Sequence, residues 1–489
     1  MGWNIISKFS IFSIPACTFR KGGIKKVETQ KQCSTTPAQH CNPYLLKDKL
    51  TNISYQAPPT TILTTMSGIY RAATAVAIIF QLLSLNTATN DVSPTHVFKE
   101  KSRGLSSANN FVREKRSAPS DYHDVTFSVK LANLEEMERI FLDISNPSSP
   151  NFGNHMTKDE VDDLTANPSA LQFVIDYLKT AGAAILPDQS LGSYNIKARA
   201  PIALWESMFN TEFYAYSHTS GHSAGNVVRA EKYSIPAALD GHVSSVFNTI
   251  QTPHVKTQKL AAPVVTSESI KVASLLLDSL TTPQLLNDFY GITDNSGHPK
   301  ATQAIFSMYE QLYSVDDIIT FQNFVGVSLQ TVNKTIGMGP TTVAACQANN
   351  DKCAEGNADL SYIMALSNTP TYYYGTSSLS LAEWIQADIV ESSDPPKVIS
   401  ISYGADEIYV SAAEYDAFRI SALTLGLRGV TIVVSSGDDG ANSPEARNKP
   451  ASCGYMPGFP ASCPFVTAVG ATQVCQTRTA RTYCYWEGH

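Results

Sequence analysis

Glu355 and Asp359 stand four residues apart in Glu-Gly-Asn-Ala-Asp-Leu-Ser-Tyr-Ile-Met-Ala-Leu, a stretch of helical character in which such a pair shares one face. Two carboxylates held side by side repel, which suits a shared proton or a base with an orienting partner. A solvated helix face carries the same spacing, but here apolar Leu360, Ile363, Met364 and Leu366 crowd the helix on its carboxyl side. A third acid, Asp438, follows in Val434-Ser-Ser-Gly-Asp-Asp-Gly440, with Asp439 beside it. Between His298 and His489 there is no histidine, so a Ser-His-Asp triad cannot be assembled in this region. Any base there is a carboxylate, and carboxylates, with reference pKa values of about 4, carry protons mainly in acid.

The elements that must position these acids read as α/β. Ala304-Ile-Phe-Ser-Met308 predicts a strand and 315–324 a helix. Val398-Ile-Ser-Ile-Ser-Tyr403, an amphipathic helix over 411–427 and Val430-Thr-Ile-Val-Val-Ser-Ser436 predict a βαβ crossover in a buried parallel sheet. Asp438 then lies just past a strand's carboxyl end, where open α/β sheets place ligands and catalysis. Asp406 and Glu407 face either substrate or solvent.

Upstream, Val125-Thr-Phe-Ser-Val-Lys-Leu131 alternates like a half-buried strand, and Leu134, Met137, Phe141 and Ile144 line one side of a helix. Thr157 and Glu160 match a capping box after a turn-rich loop, and a helix over 171–180 reaches Gly182. Short strands continue through Phe213-Tyr-Ala-Tyr216, so this unit is α+β. The run Val112-Arg-Glu-Lys-Arg-Ser117 is either a processing site or a solvated charge cluster. A Thr, Ala, Pro and Lys stretch between His254 and Ser274 reads as an exposed linker and a plausible cleavage region.

At 489 residues, 43% hydrophobic and 16% charged, the chain has material for two or three packed domains rather than disorder. A net charge of -7 and a pI near 5.8 supply no basic field for phosphate backbones, which argues against nucleic-acid binding. Of nine cysteines, six (346, 353, 453, 463, 475, 484) lie in the last third, and sequence neighbours are the simplest of their pairings. Met66-Ser-Gly-Ile-Tyr-Arg71 followed by apolar 72–85 and small residues to Thr89 reads as a signal peptide, with a signal-anchor helix as the rival. The segment is too short for a stable membrane span. Translation is then expected to start at Met66, with residues 1–65 an upstream extension of the gene model. The sequon Asn333-Lys334-Thr335 fits a secretory route.

Five segments occur in order: Ser149-Pro-Asn-Phe-Gly-Asn-His-Met-Thr157, Thr282-Pro-Gln-Leu-Leu-Asn-Asp-Phe-Tyr290, Ser400-Ile-Ser-Tyr-Gly404, Ser435-Ser-Gly-Asp438 and Phe459-Pro-Ala-Ser-Cys-Pro-Phe-Val-Thr-Ala-Val-Gly470. Together they resemble the sedolisin family of serine-carboxyl peptidases, which includes kumamolisins and tripeptidyl peptidases, from about residue 118 to the end. The resemblance implies a subtilisin-like parallel-sheet α/β catalytic domain, incomplete here, preceded by an α+β ferredoxin-like activation prodomain. The expected divisions are an unassigned extension at 1–65, a signal-like segment at 66–89, a polar spacer at 90–117, the prodomain at 118–254, a linker at 255–278 and the partial catalytic domain at 279–489.

It further implies that Glu355 is the general base for a serine, that Asp359 orients it, and that Asp438 lines the oxyanion hole, where a neutral carboxyl donates a hydrogen bond to the developing charge. Asp439 stands where the family often has serine. The family's nucleophile lies in a Gly-Thr-Ser-Ala type motif well after the oxyanion Asp, and its calcium site lies near the C-terminus. Calcium is therefore expected, but with ligands absent from this chain, and the chain is expected to stop in mid-domain. Gly375-Thr-Ser-Ser378 precedes Asp438 and is not taken as the nucleophile. The implied partners are a peptide or protein substrate and the chain's own prodomain as an intramolecular inhibitor, in a secreted or lysosome-like acidic compartment. The alternative is a catalytically dead chain whose prodomain inhibits or chaperones a related peptidase.

Overall fold

The computed structural model of the chain describes residues 95–103, 105, 111–187, 194–218, 227–252, 281–298, 300–308, 311–376, 380–439, 455–470, 473–478 and 481–486. Segment 1–65, the leader expected at 66–89 and the linker expected at 255–278 lie outside them.

The amino-terminal half comprises β1 (His96–Lys101), β2 (Phe111–Arg116), β3 (Tyr122–Val129), α1 (Leu134–Ser145), α2 (Lys158–Thr165), α3 (Pro168–Ala181), β4 (Ala184–Ile185), β5 (Asn195–Pro201), α4 (Ile202–Phe209), β6 (Phe213–His218), β7 (Val227–Ala230), β8 (Lys232–Pro236) and β9 (Val243–Phe247). An antiparallel sheet of order β4-β5-β3-β9 is covered by α3 and α4, whose Val174, Leu178, Trp205 and Phe209 bury against Val125 and Phe127. Trp205 stacks on Phe209 at 5.6 Å and donates its indole N–H to His123 O at 2.9 Å, so its one polar atom is satisfied in the core. The expected capping box is present: Glu160 N donates to Thr157 Oγ1 while Thr157 N donates to the Glu160 carboxylate.

Within the stretch expected as a polar spacer, His96–Lys101 and Phe111–Arg116 are strands. β1 pairs with β8 and β2 with β6. The charged run of β2 is neutralised on the strand's outer face: Arg113 meets Glu231 at 3.0 Å, and Arg116 meets Glu206 at 2.9 Å and Glu212 at 3.1 Å. Paired and half-solvated charge together let so polar a sequence hold a sheet edge.

The second half comprises α5 (Pro283–Tyr290), β10 (Gln303–Ser307), α6 (Val315–Val325), β11 (Lys334–Gly337), α7 (Ala354–Leu366), β12 (Thr371–Gly375), α8 (Leu381–Trp384, running on as a π-type turn over Ile385–Val390), β13 (Val398–Ile401), α9 (Ala412–Leu427), β14 (Thr431–Ser435) and β15 (Thr467–Val469). A hairpin of β16 (Gln473–Arg478) and β17 (Arg481–Trp486) follows, its register setting Cys475 opposite Cys484. The six strands β11-β12-β10-β13-β14-β15 form one parallel sheet, as the β-branched runs required. The chain lays β11 and β12 on one side of β10 and β13 to β15 on the other. Winding therefore reverses at β10, and a crevice opens at the carboxyl ends of its neighbours.

The two halves share a core. α9, expected to be amphipathic, is instead buried around most of its circumference, because the sheet covers one side and the amino-terminal half covers another. Leu423 and Leu427 of α9 join Met137 and Ile144 of α1 and Val161 of α2 in one apolar cluster. Met156 N donates to Leu427 O at 2.8 Å, Arg419 pairs with Glu138 at 2.8 Å, and Lys158 with Glu391 at 3.3 Å. Glu100 of β1 accepts from Ala412 N at 2.6 Å, satisfying one of the orphan donors that begin α9.

Phe141 of α1 approaches α9 so closely that a Cβ added at Gly426 would fall 2.4 Å from its ring. Gly426→Ala should loosen this docking by about 1–3 kcal/mol, the usual cost of overpacking, which is roughly tenfold or more in the docking equilibrium. Hydrogen exchange should show α1 and Met156 opening faster while β3 and β5 keep their protection. Unchanged protection of α1 would disprove the close approach.

Candidate active site

α7 carries the first two acids and is fixed at its start by three devices. Cys353, its N-cap, is disulfide-bonded to Cys346 with the Cα atoms 5.5 Å apart, the pairing of sequence neighbours. Asn357 accepts from Ser314 N at 2.7 Å and donates to Asp317 at 3.0 Å, clamping α7 to the start of α6. Gly356 lets the helix backbone meet the preceding loop, since a Cβ there would fall 2.3 Å from Leu312 O. The remaining neighbouring pairs are not all repeated: Cys463 is a buried free thiol.

Glu355 and Asp359 are 8% and 3% exposed, which excludes the solvated-face reading of their spacing. Ser402, one residue past β13, donates its hydroxyl to Asp359 Oδ1 at 3.4 Å. Tyr403 follows, its hydroxyl 3.3 Å from Ser307 Oγ at the end of β10, and Tyr373 of β12 donates to Gln311 O at 2.8 Å. Burial pushes both phenols well above their ordinary value, and the negative charges of Glu355 and Asp359 push further in the same direction. Tyr373 and Tyr403 thus stay protonated and can serve the acidic cluster only as neutral groups.

Asp438 lies in the turn after β14, half-buried, behind Gly437, whose φ of 101° is open to glycine at little cost. Ser436 N donates to Val469 O at 2.9 Å and anchors that turn to β15. β13 and β14 are adjacent parallel strands with Ile401 opposite Val434. Ser402-Tyr403 and Asp438 therefore leave the same carboxyl edge one strand apart. Asp406 sits in a short antiparallel bridge to Gly458, and Glu407 donates its backbone N–H to Pro457 O at 2.9 Å.

Ser307, Ser402, Tyr373 and Tyr403 belong to this site, and reasoning from the sequence gave none of them a role. For Ser307, Ser402 and Tyr403 the available signal was position, at or near the end of a strand predicted to be buried; Tyr373, in the middle of β12, gave no such signal. A cleft of about 1440 Å³ lies elsewhere, between β1 and residues 407–416, and is the seam between the halves rather than the acidic site. Among the described residues no three His, Cys, Asp or Glu side chains gather as a metal ion would require.

A model described as the pro-kumamolisin activation domain matches residues 109–252, and one described as the subtilase family matches residues 337–484. Both matches, with the relatives that follow, support the resemblance to the sedolisin family. The chain is 27% identical over 388 residues to the probable tripeptidyl-peptidase SED4 of Trichophyton verrucosum, covering 74% of this chain and 64% of that one. It is 28% identical over 377 residues to tripeptidyl-peptidase 1 of Mus musculus, covering 73% and 62%. The solved structure of Pseudomonas sedolisin, a serine-carboxyl proteinase, aligns with 23% identity and a TM-score of 0.32 over 41% of this chain and 55% of that one. The chain spans less than two thirds of the length of these curated relatives. The expected architecture is borne out: an activation domain precedes a subtilisin-like parallel-sheet domain.

Glu414, in the first turn of α9, is buried and accepts from Ser380 Oγ at 2.7 Å and Ala382 N at 3.0 Å, tying the start of α8 to α9. Burial pushes its carboxyl up to about 7. A folded-state value above the unfolded one means that its stabilising contribution is complete in acid and is lost as pH rises through about 7. Glu414→Gln, which keeps the shape without the charge, should raise the melting temperature at about pH 8 and change it little at about pH 4.5. Equal effects at both values would show that Glu414 is not charged in the folded chain at high pH.

Proposed function

We propose that this chain belongs to the proform of an acid serine-carboxyl peptidase that hydrolyses peptide bonds. The observation that carries the reading is the burial of Glu355 and Asp359 together at the crevice where the sheet reverses its winding, with Ser402 donating to the pair. In the proposed reaction Glu355 removes the proton from a serine hydroxyl as its oxygen attacks the substrate carbonyl, and Asp359 holds Glu355 in line. Asp438, protonated, donates a hydrogen bond to the oxyanion. Glu355 returns the proton to the leaving amine, and water then releases the acyl group by the same steps in reverse.

The serine is assigned to a Gly-Thr-Ser-Ala type motif, and residues 375–378 are not given that role. Calcium has no part in the proposed steps. The similarity to tripeptidyl-peptidases supports release of short peptides from a free amino terminus, in a secreted or lysosome-like compartment. Among the described residues no helix is long and apolar enough to cross a membrane. The amino-terminal half, docked on α9, is proposed as the intramolecular inhibitor removed on activation.

The longest product of the gene that contains these residues should cleave peptides in acid and lose activity as pH rises. Glu355→Gln and Asp438→Asn should each lower kcat at least about 100-fold with KM nearly unchanged, the scale seen when a single oxyanion donor is removed. Full kcat in either variant would refute its assigned role, and equal cleavage of amino-terminally blocked peptides would refute tripeptide release.

A second reading, a chain that inhibits or chaperones a related peptidase, draws on the buried cluster between α1 and α9, which is what a prodomain uses to hold its enzyme. Inhibition of a mature relative by this chain, with no cleavage of its own, would favour it.

A further inference from the structure

We infer that Asn333 carries an N-linked glycan that shields the exposed edge of the parallel sheet, an inference that rests on the secretory compartment proposed above. The chain has two Asn-Xaa-Ser/Thr triplets without a central proline, Asn333-Lys334-Thr335 and Asn52-Ile53-Ser54, and only the first lies among the described residues. Asn146 and Asn167 are each followed by proline, which blocks modification.

The surroundings of Asn333 suit a modified amide. Residues 333–335 are exposed, at the start of β11, which among the described residues pairs only with β12. Asn333 N donates to Thr371 O at 2.8 Å, and Asn333 Oδ1 accepts from Thr371 N at 2.8 Å. Both bonds use groups that a glycosylated asparagine retains. The amide nitrogen Nδ2, which would bear the sugar, has no hydrogen-bond partner among the described residues and is not required by the sheet. Thr335, the third residue of the triplet, lies two positions along the same edge strand, its Oγ1 2.8 Å from Tyr313 OH.

In the modification, Nδ2 bonds to the anomeric carbon of an oligosaccharide, the bond from that carbon to a lipid diphosphate breaks, and the amide proton leaves as the diphosphate departs. The lipid-diphosphate-linked oligosaccharide is the only co-reactant. The placement gives the glycan a physical use. An uncovered edge strand presents free N–H and C=O groups to a second sheet, and bulk at its first residue obstructs that pairing.

The test uses the full chain in eukaryotic cells, once with its own leader and once with an added cleavable secretion signal, and reads both lumenal and secreted protein. An amidase that removes N-glycans in heavy-oxygen water should convert Asn333 to labelled aspartate in most wild-type molecules. Conversion should vanish in Thr335→Ala and return in Thr335→Ser. A bare Asn333 in signal-fused lumenal protein would overturn the inference. Glycosylation of the signal-fused chain with none of the native-leader chain entering the lumen would sink the compartment reading alone. Sedimentation should show Thr335→Ala self-associating several-fold more than Thr335→Ser, and equal monomer content would overturn the shielding.

Discussion

Two carboxylates buried on neighbouring turns of one helix are the constraint around which the carboxyl-terminal half is arranged. Removing such groups from water costs several kcal/mol each unless donors and geometry compensate. The compensation comes from groups that the sheet delivers to its carboxyl edge. Ser402 reaches Asp359 directly, while Tyr373 and Tyr403, kept protonated by burial, surround the pair. Delivery requires that α7 cannot shift, which explains the devices at its first turn: the Cys346–Cys353 bridge, the Asn357 clamp on Ser314 and Asp317, and the side-chain-free contact of Gly356 with Leu312 O. A loose helix would leave two buried charges without their donors.

α9 ties the same constraint to the amino-terminal half. Its inner side packs beneath the strands that lead to Ser402 and Asp438, and its outer side carries Leu423 and Leu427 into a cluster completed by α1 and α2. A helix apolar on so many sides exposes apolar surface when either covering leaves. The motif Phe152-Gly-Asn-His-Met156, legible in the sequence as part of a prodomain, acts here as a docking element: it ends in the bond from Met156 N to Leu427 O, at the end of α9 that leads into β14.

How far the sequence could be read follows from which signals were local. The β-branched runs 398–401 and 431–435 and the Thr157 capping box declared themselves, because strand burial and helix capping are decided within a few residues. β1 and β2 did not, since their charges are neutralised by Asp240, Glu206, Glu212 and Glu231, far along the chain. The Glu355/Asp359 spacing was ambiguous for the same reason. Four-residue spacing places two acids on one face, but whether that face meets water depends on Ser402 and Tyr403, which arrive from another strand. Ser402 itself read as one more polar residue ending a buried run.

The ionisable groups sort by half in a way that bears on acid. In the amino-terminal half, Asp124, Glu136, Asp143, Glu160 and Asp240 are all held below the usual carboxylate range, by Arg199, by Arg139, by Ser149 and Asn151, by the Thr157 backbone and by Lys99 respectively. A depressed folded-state value contributes stability that is present above the unfolded value and lost as pH falls through the folded one. These partners therefore weaken in acid, each by a small amount because the groups face solvent. In the carboxyl-terminal half, burial raises Asp388 and Glu414, so their contributions run the opposite way and are complete in acid; exposed Asp294, lowered by Ser296, is an exception. Glu100, at the seam, is also raised by burial and so favours docking in acid. Acidification thus acts on one half through many weak surface pairs and on the other through a few buried acids.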